Sequence, residues 1–104
     1  MEIKKESFLK SGLMNLFQEK TGEVDFKFGT VTIPPGERIP KEGFSIHEEN
    51  EYAVIIEGEV EGESGGKAFC TPENDATFIP AGEAHWVENT GNKSCKVVWV
   101  LIKS

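Results

Sequence analysis

The sequence predicts an all-β sandwich or barrel, and three observations carry that prediction. Apolar residues mostly alternate with polar ones, the period of a strand with one buried face. Gly, Pro and Asn clusters at 34–36, 64–66, 72–75, 80–83 and 90–92 cut the chain into segments of strand length. No stretch carries a convincing helical periodicity. The 104 residues fit a single domain, taken as residues 1–104. A hydrophobic content of 38%, with seven Phe and two Trp, supplies a core rather than a disordered chain.

Leu13–Phe17 (LMNLF) reads as a strand because the next segment of the chain is β. In Val24–Ile33, Val24, Phe26 and Phe28 share one phase, and after Gly29 the apolar phase moves to Val31 and Ile33. A slip of one residue at a glycine predicts a β-bulge. Pro34-Pro35-Gly36 ends this strand, since proline donates nothing to a ladder. After a loop with the chain's one arginine, Arg38, a short strand is expected at Phe44–Glu48 and a turn at Glu49-Asn50. A long strand is then expected from Glu51 to Glu63, with a hairpin turn at Ser64-Gly65-Gly66. Further strands are expected at 67–71, 76–79, 85–89 and 95–102. Tyr52–Ile56 and Val97–Ile102 are apolar on both faces, so both faces need cover, from an outer layer or a second subunit. A homodimer is therefore expected.

Eleven Lys and Arg against eighteen Asp and Glu give a net charge of −7, with no basic patch. That opposes nucleic acid and anionic membranes as partners. No apolar run is long enough for a transmembrane helix, and MEIKKESFLKS lacks the apolar core of a signal peptide, which makes the cytoplasm the expected location. Cys70 and Cys95 stand alone and read as reduced, packed thiols. The run Glu57-Gly-Glu-Val-Glu-Gly-Glu63 reads as the solvated face of a strand.

The only two histidines, His47 and His85, lie in patterned stretches. Alternation puts Ser45 and His47 on one face of a strand. If Glu48-Glu49-Asn50 makes the corner, Glu51 begins the antiparallel return opposite His47, and facing Cβ atoms sit about 5 Å apart. His85, after the Pro80-Ala81-Gly82 turn, can add a third donor from an adjacent strand. Two imidazoles and one carboxylate with open positions suit Fe, and also Mn, Ni, Co or Zn. By spacing alone, a pair of hydrogen-bonded histidines and a surface carboxylate remain the competing reading.

The two stretches resemble the paired motifs of the cupin superfamily. In the first, Ser45-Ile46-His47, Glu51 and Gly58 fall at the family spacing; in the second, Pro80, Gly82, His85 and Asn89 do. The likeness spans about residues 30–102. It implies a jelly-roll barrel (a double-stranded β-helix), a divalent transition metal on His47, Glu51 and His85, and a structural or hydrogen-bonding role for Asn89. Three positions depart from the pattern: Ser45 replaces the first histidine, Pro40 and Lys41 stand where the leading glycine belongs, and Asn74 replaces the second motif's glycine. A serine hydroxyl is a poorer ligand than imidazole for such a metal.

In a barrel of this kind a small organic molecule would bind at the mouth, with Arg38, Ser45, Phe44 and Phe78 as candidate contacts and Ile55 and Val87 as further lining. Trp86, next to His85, should face away from the metal. Three functions stay open: a metal-dependent oxygenase or isomerase/lyase, a binding or sensing module without turnover, and a degenerate metal-free barrel.

Overall fold

A computed structural model describes all of residues 1–104. The chain forms nine strands and no helix: β1 (Gly12–Thr21), β2 (Val24–Ile33), β3 (Arg38–Ile39), β4 (Asn50–Glu57), β5 (Val60–Ser64), β6 (Lys67–Thr71), β7 (Ala76–Ile79), β8 (His85–Glu88) and β9 (Cys95–Lys103). They build two antiparallel sheets, in the orders β1-β2-β9-β4-β7 and β3-β8-β5-β6. The all-β expectation is met, and no helix is long and apolar enough to cross a membrane.

Register assigns the faces. Glu51, Ala53 and Ile55 on β4 pair with Leu101, Trp99 and Val97 on β9, and Val31 and Ile33 on β2 pair with Val97 and Cys95, so all of these point inward together. Val60, Gly62 and Ser64 on β5 match Thr71, Phe69 and Lys67 on β6, with Val87 and His85 on β8 facing the same side. Ile33, Ile55, Val60, Cys95 and Val97 form the buried core. Burial, with the nearby Glu57 charge adding to it, pushes the Cys95 thiol up to about 11. Cys70 is instead exposed, which corrects the expectation of two packed thiols; both are unpaired. In the acidic run, Val60 and Gly62 are buried while Glu59 and Glu61 are exposed, the alternation of a strand with one wet face.

Three local expectations are corrected. The bulge is not at Gly29: β2 pairs with β9 without interruption from Asp25 to Ile33, and the irregularity lies in β1 between Asn15 and Phe17. The phase of β2 changes because its covered face changes. Near the barrel mouth the inward side is polar, with Lys27 paired to Glu49 at 3.4 Å, while Phe26 and Phe28 point outward. Deeper in, Val31 and Ile33 meet the interior. Gly29 serves a different purpose, since a Cβ there would overlap both Cζ2 of Trp99 and the Met14 carbonyl oxygen.

The long strand expected over Glu51–Glu63 breaks at Gly58 into β4 and β5, which belong to different sheets. Gly58 takes φ +81°, and a side chain there would collide with the backbone of Ser94 and Cys95. A glycine lets the chain turn from one sheet to the other at little steric cost. The strand expected at Phe44–Glu48 reduces to a single bridge between Ser45 and His85. Beyond that bridge the facing chain is the Pro80–Glu83 turn, where Pro80 has no N–H and Gly82 takes φ +81°. Only the Gly82 N–H, donating to the His47 carbonyl at 2.9 Å, continues the contact.

Asn89 closes the opposite end. It is fully buried, its Nδ2 donates to the carbonyls of Ile33 (2.7 Å) and Lys93 (2.8 Å), and its Oδ1 accepts from the Gly91 N–H at 3.0 Å. Buried amides in this position stitch loops that have no ladder of their own.

Candidate metal centre

His47, Glu51 and His85 meet at the barrel mouth. One donor atom from each lies within 4.8 Å of the other two. The rings of His47 and His85 are 5.0 Å apart and nearly perpendicular, at 73°. Nε2 of His47 sits 3.5 Å from Oε1 of Glu51. His85 is buried, and the other two side chains are mostly covered.

The hydrogen bonds fix which nitrogens are free. Nδ1 of His47 lies 2.9 Å from the Glu49 carbonyl, and Nδ1 of His85 lies 2.9 Å from the Glu83 carbonyl. A carbonyl oxygen only accepts, so each Nδ1 carries the proton and a neutral ring leaves Nε2 as a bare lone pair. Nε2 of His47 is buried and has no hydrogen-bond partner. Oε1 of Glu51, which faces it at 3.5 Å, is also an electron-pair donor. Two lone pairs facing each other under cover are unfavourable unless a proton or a metal cation lies between them. Backbone carbonyls that hold metal-binding imidazoles by Nδ1–H are the usual supporting arrangement for such ligands. The donor set therefore fits a divalent transition metal.

The local fold explains the convergence. Glu51 is anchored in β4 between β7 and β9, opposite Ile79 and Leu101. His85 opens β8 opposite Ser64. His47 lies outside any sheet, on the stretch tied by the Ser45 bridge and the Gly82 contact. The Asn50 side chain fastens this corner to the Pro80–Glu83 turn by accepting from the Ala81 N–H at 2.8 Å.

Below the mouth lies a cavity of about 560 Å³. Ser45 lines it beside the three donors, and Val87 lines its wall. Ile55 lies in the core cluster and not on the cavity surface. Phe78 lines the cavity, but it is 53% exposed and its ring pairs with Tyr52 at 5.0 Å between centroids. Phe44 is 56% exposed and does not line the cavity. Arg38 is also outside it. Its guanidinium stacks on Trp86 at 4.5 Å and donates to the carbonyls of Pro40 (2.7 Å) and Gly43 (2.9 Å). Trp86 thus faces away from His85's side of β8.

Sequence reasoning missed Glu83, Ser64, Lys67 and Trp99, which also line the cavity. Ser64 Oγ donates to Glu83 Oε2 at 2.6 Å. Glu83 stands two residues before His85, so the i, i+2 rule could have found it; Trp99 shares the inward phase of Val97. Trp99 Nε1 and Thr32 Oγ1 are the other buried polar atoms without a partner.

Comparison with known proteins agrees with this geometry. Residues 29–101 match the family model of the cupin domain. An oxalate-binding protein of Thermotoga maritima is 34% identical over 76 residues, which cover 72% of this chain and 60% of that protein. A mannose-1-phosphate guanylyltransferase of Escherichia coli is 36% identical over 69 residues, covering 64% of this chain but 14% of the enzyme. The chain therefore spans only part of both relatives. Among solved structures, the cupin domain of Schizosaccharomyces pombe Cnp3 superposes with a TM-score of 0.77 at 17% identity, over 88% of this chain and 64% of that one. The two-sheet barrel is a cupin jelly roll, and the chain belongs to the cupin family.

Proposed function

We propose that the protein binds a divalent transition metal through His47, Glu51 and His85 and holds a small organic molecule in the cavity beside it. The observation that carries this reading is the pair of imidazoles whose Nδ1 atoms are engaged by backbone carbonyls, leaving Nε2 free beside Glu51. A metal held there would supply Lewis acidity at coordination positions left to the ligand. Ser45, where an imidazole would add a fourth donor, leaves one more position to water or ligand. The oxalate-binding relative supports a small-molecule role for the fold. Beside the metal group, Glu83 and Lys67 are the other charged side chains that line the cavity.

Metal analysis of protein purified without an affinity tag tests the reading. A stoichiometric content of Fe, Mn, Ni or Zn, or uptake to that level on addition, is expected. No uptake of any of the four overturns it.

The same reading takes the protein as a homodimer. The outer face of the five-stranded sheet carries Phe17, Tyr52 and Phe78, all exposed, next to Val98, Val100 and Ile102. Residues near the N-terminus reach part of this face: the Ser7 carbonyl accepts from Thr30, and Lys96 lies over the Phe8 ring at 5.6 Å. Lys4 lies over the Phe17 ring at 5.8 Å, and the exposed Tyr52–Phe78 pair is what remains for a second copy. Sedimentation should give a dimer that Tyr52→Glu converts to monomer; a monodisperse wild-type monomer at high concentration would refute the assignment.

A further inference from the structure

The wall of the cavity says more about the ligand than its mouth does. Below the histidines the lining is dominated by Val31, Ile33, Ala53, Val87 and Val97, with Leu101 beside Glu51 at the mouth. Apart from the three donor residues, its charged groups are Glu83 and Lys67. Glu83 already accepts from Ser64, and its charge repels an anion. The arginine that could have met a carboxylate or phosphate is engaged by Trp86 and two backbone carbonyls outside the cavity. A second anionic group on a bound ligand would therefore enter an apolar wall with at most one lysine to meet it. A small diacid such as oxalate would also leave most of the 560 Å³ unfilled.

We infer, resting on the metal reading above, that the ligand has an oxygen-donor chelating head and an uncharged apolar body. The head sits at His47, Glu51 and His85, with the neutral hydroxyl of Ser45 beside it. The body runs down past Trp99 and Val87 toward Val31 and Val97. Trp99 forms the wall one step below Glu51: it pairs with Ala53, its ring occupies the space left by Gly29, and Val97 and Val31 line the cavity a step deeper. Neither a dicarboxylate nor a sugar phosphate has this division into a chelating end and a dry end.

Alkyl hydroxamates separate the two halves of the inference, because the head stays constant while the chain grows. Calorimetric titration of zinc-loaded and metal-free protein with the two-, four-, six- and eight-carbon members, and with oxalate, reads both. Affinity should rise about three- to fourfold per added CH₂, on the order of a hundredfold over four of them, if the chain enters an apolar wall. Oxalate should bind more weakly than the six-carbon hydroxamate. Metal removal should weaken every member by one common factor and leave the chain-length slope intact. Val87→Phe, with zinc uptake unchanged as the check on folding, should level the slope at a shorter chain. A flat slope, tighter binding of oxalate, or a slope that Val87→Phe does not alter overturns the apolar body. A preserved slope with no dependence on zinc overturns the chelating head, and with it the metal reading, while leaving the apolar wall in place.

Discussion

In His47→Ala or His85→Ala, the thermal stabilisation that added metal gives the wild type should vanish. Metal at a hundredfold excess over its Kd stabilises a folded state by about 2.7 kcal/mol. For a domain of this size that corresponds to a rise in Tm of about 10–20 °C. Removing either imidazole takes away one of three donors and leaves the remaining lone pairs without the geometry to hold an ion. Each histidine also holds a backbone carbonyl through Nδ1, so the metal-free Tm should fall by a few degrees in both variants. The metal-induced shift is therefore measured against each variant's own metal-free baseline. Ser45→Ala should keep most of the shift, because Ser45 contacts His85 through its backbone and not its hydroxyl. A variant lacking His47 that still shifts like the wild type would show that the ion sits elsewhere. A large loss in Ser45→Ala would make its hydroxyl a ligand.

The second large effect is at Gly29. Its Cβ position is already filled, by the Met14 carbonyl oxygen and by Cζ2 of Trp99. One is the backbone of β1, and the other is an indole only 6% exposed. Neither yields easily, so Gly29→Ala should cost more than about 3 kcal/mol in chemical denaturation, and Gly29→Val should prevent folding. Gly66→Ala is the control. Nothing lies within 4 Å of its Cβ, and only its φ of +79° opposes the change, which costs about 1–2 kcal/mol. Trp99→Leu should return part of the loss in the Gly29→Ala background, since the indole is half of the clash. If Gly29→Ala unfolds within about 1 kcal/mol of wild type, the close packing of indole on glycine is wrong.

How legible the protein was depended on whether a residue's role was local. Strand alternation and Gly/Pro punctuation gave the all-β class, because period and turn chemistry are written in neighbouring residues. The spacing of His47 and Glu51 around a corner was legible for the same reason. The placing of Arg38 was not. An arginine near a cavity mouth can serve a ligand or a loop, and only the fold shows that Trp86 and two carbonyls take it. The phase change at Gly29 was visible but its cause was non-local. A bulge in the strand and a change in what covers its two faces leave the same mark on a sequence, and the irregularity lies in the neighbouring strand β1. The break at Gly58 was hidden by the regular alternation of the acidic run on either side of it, which continues although the chain changes sheets.

Glu51 belongs to the five-stranded sheet and His85 to the four-stranded one, with His47 on the stretch between. An ion gripped by all three would act as a staple across the end of the barrel that the apolar core leaves unsealed. Such a staple closes only after both sheets and the corner at residues 45–50 are in place. Stabilisation that arrives after the transition state lengthens the lifetime of the native state and leaves the folding rate almost unchanged. In stopped-flow experiments, metal should therefore slow unfolding by about as much as it raises stability, while refolding stays the same. Refolding that speeds up with metal would mean instead that the mouth of the barrel assembles first, and that the two sheets close around it.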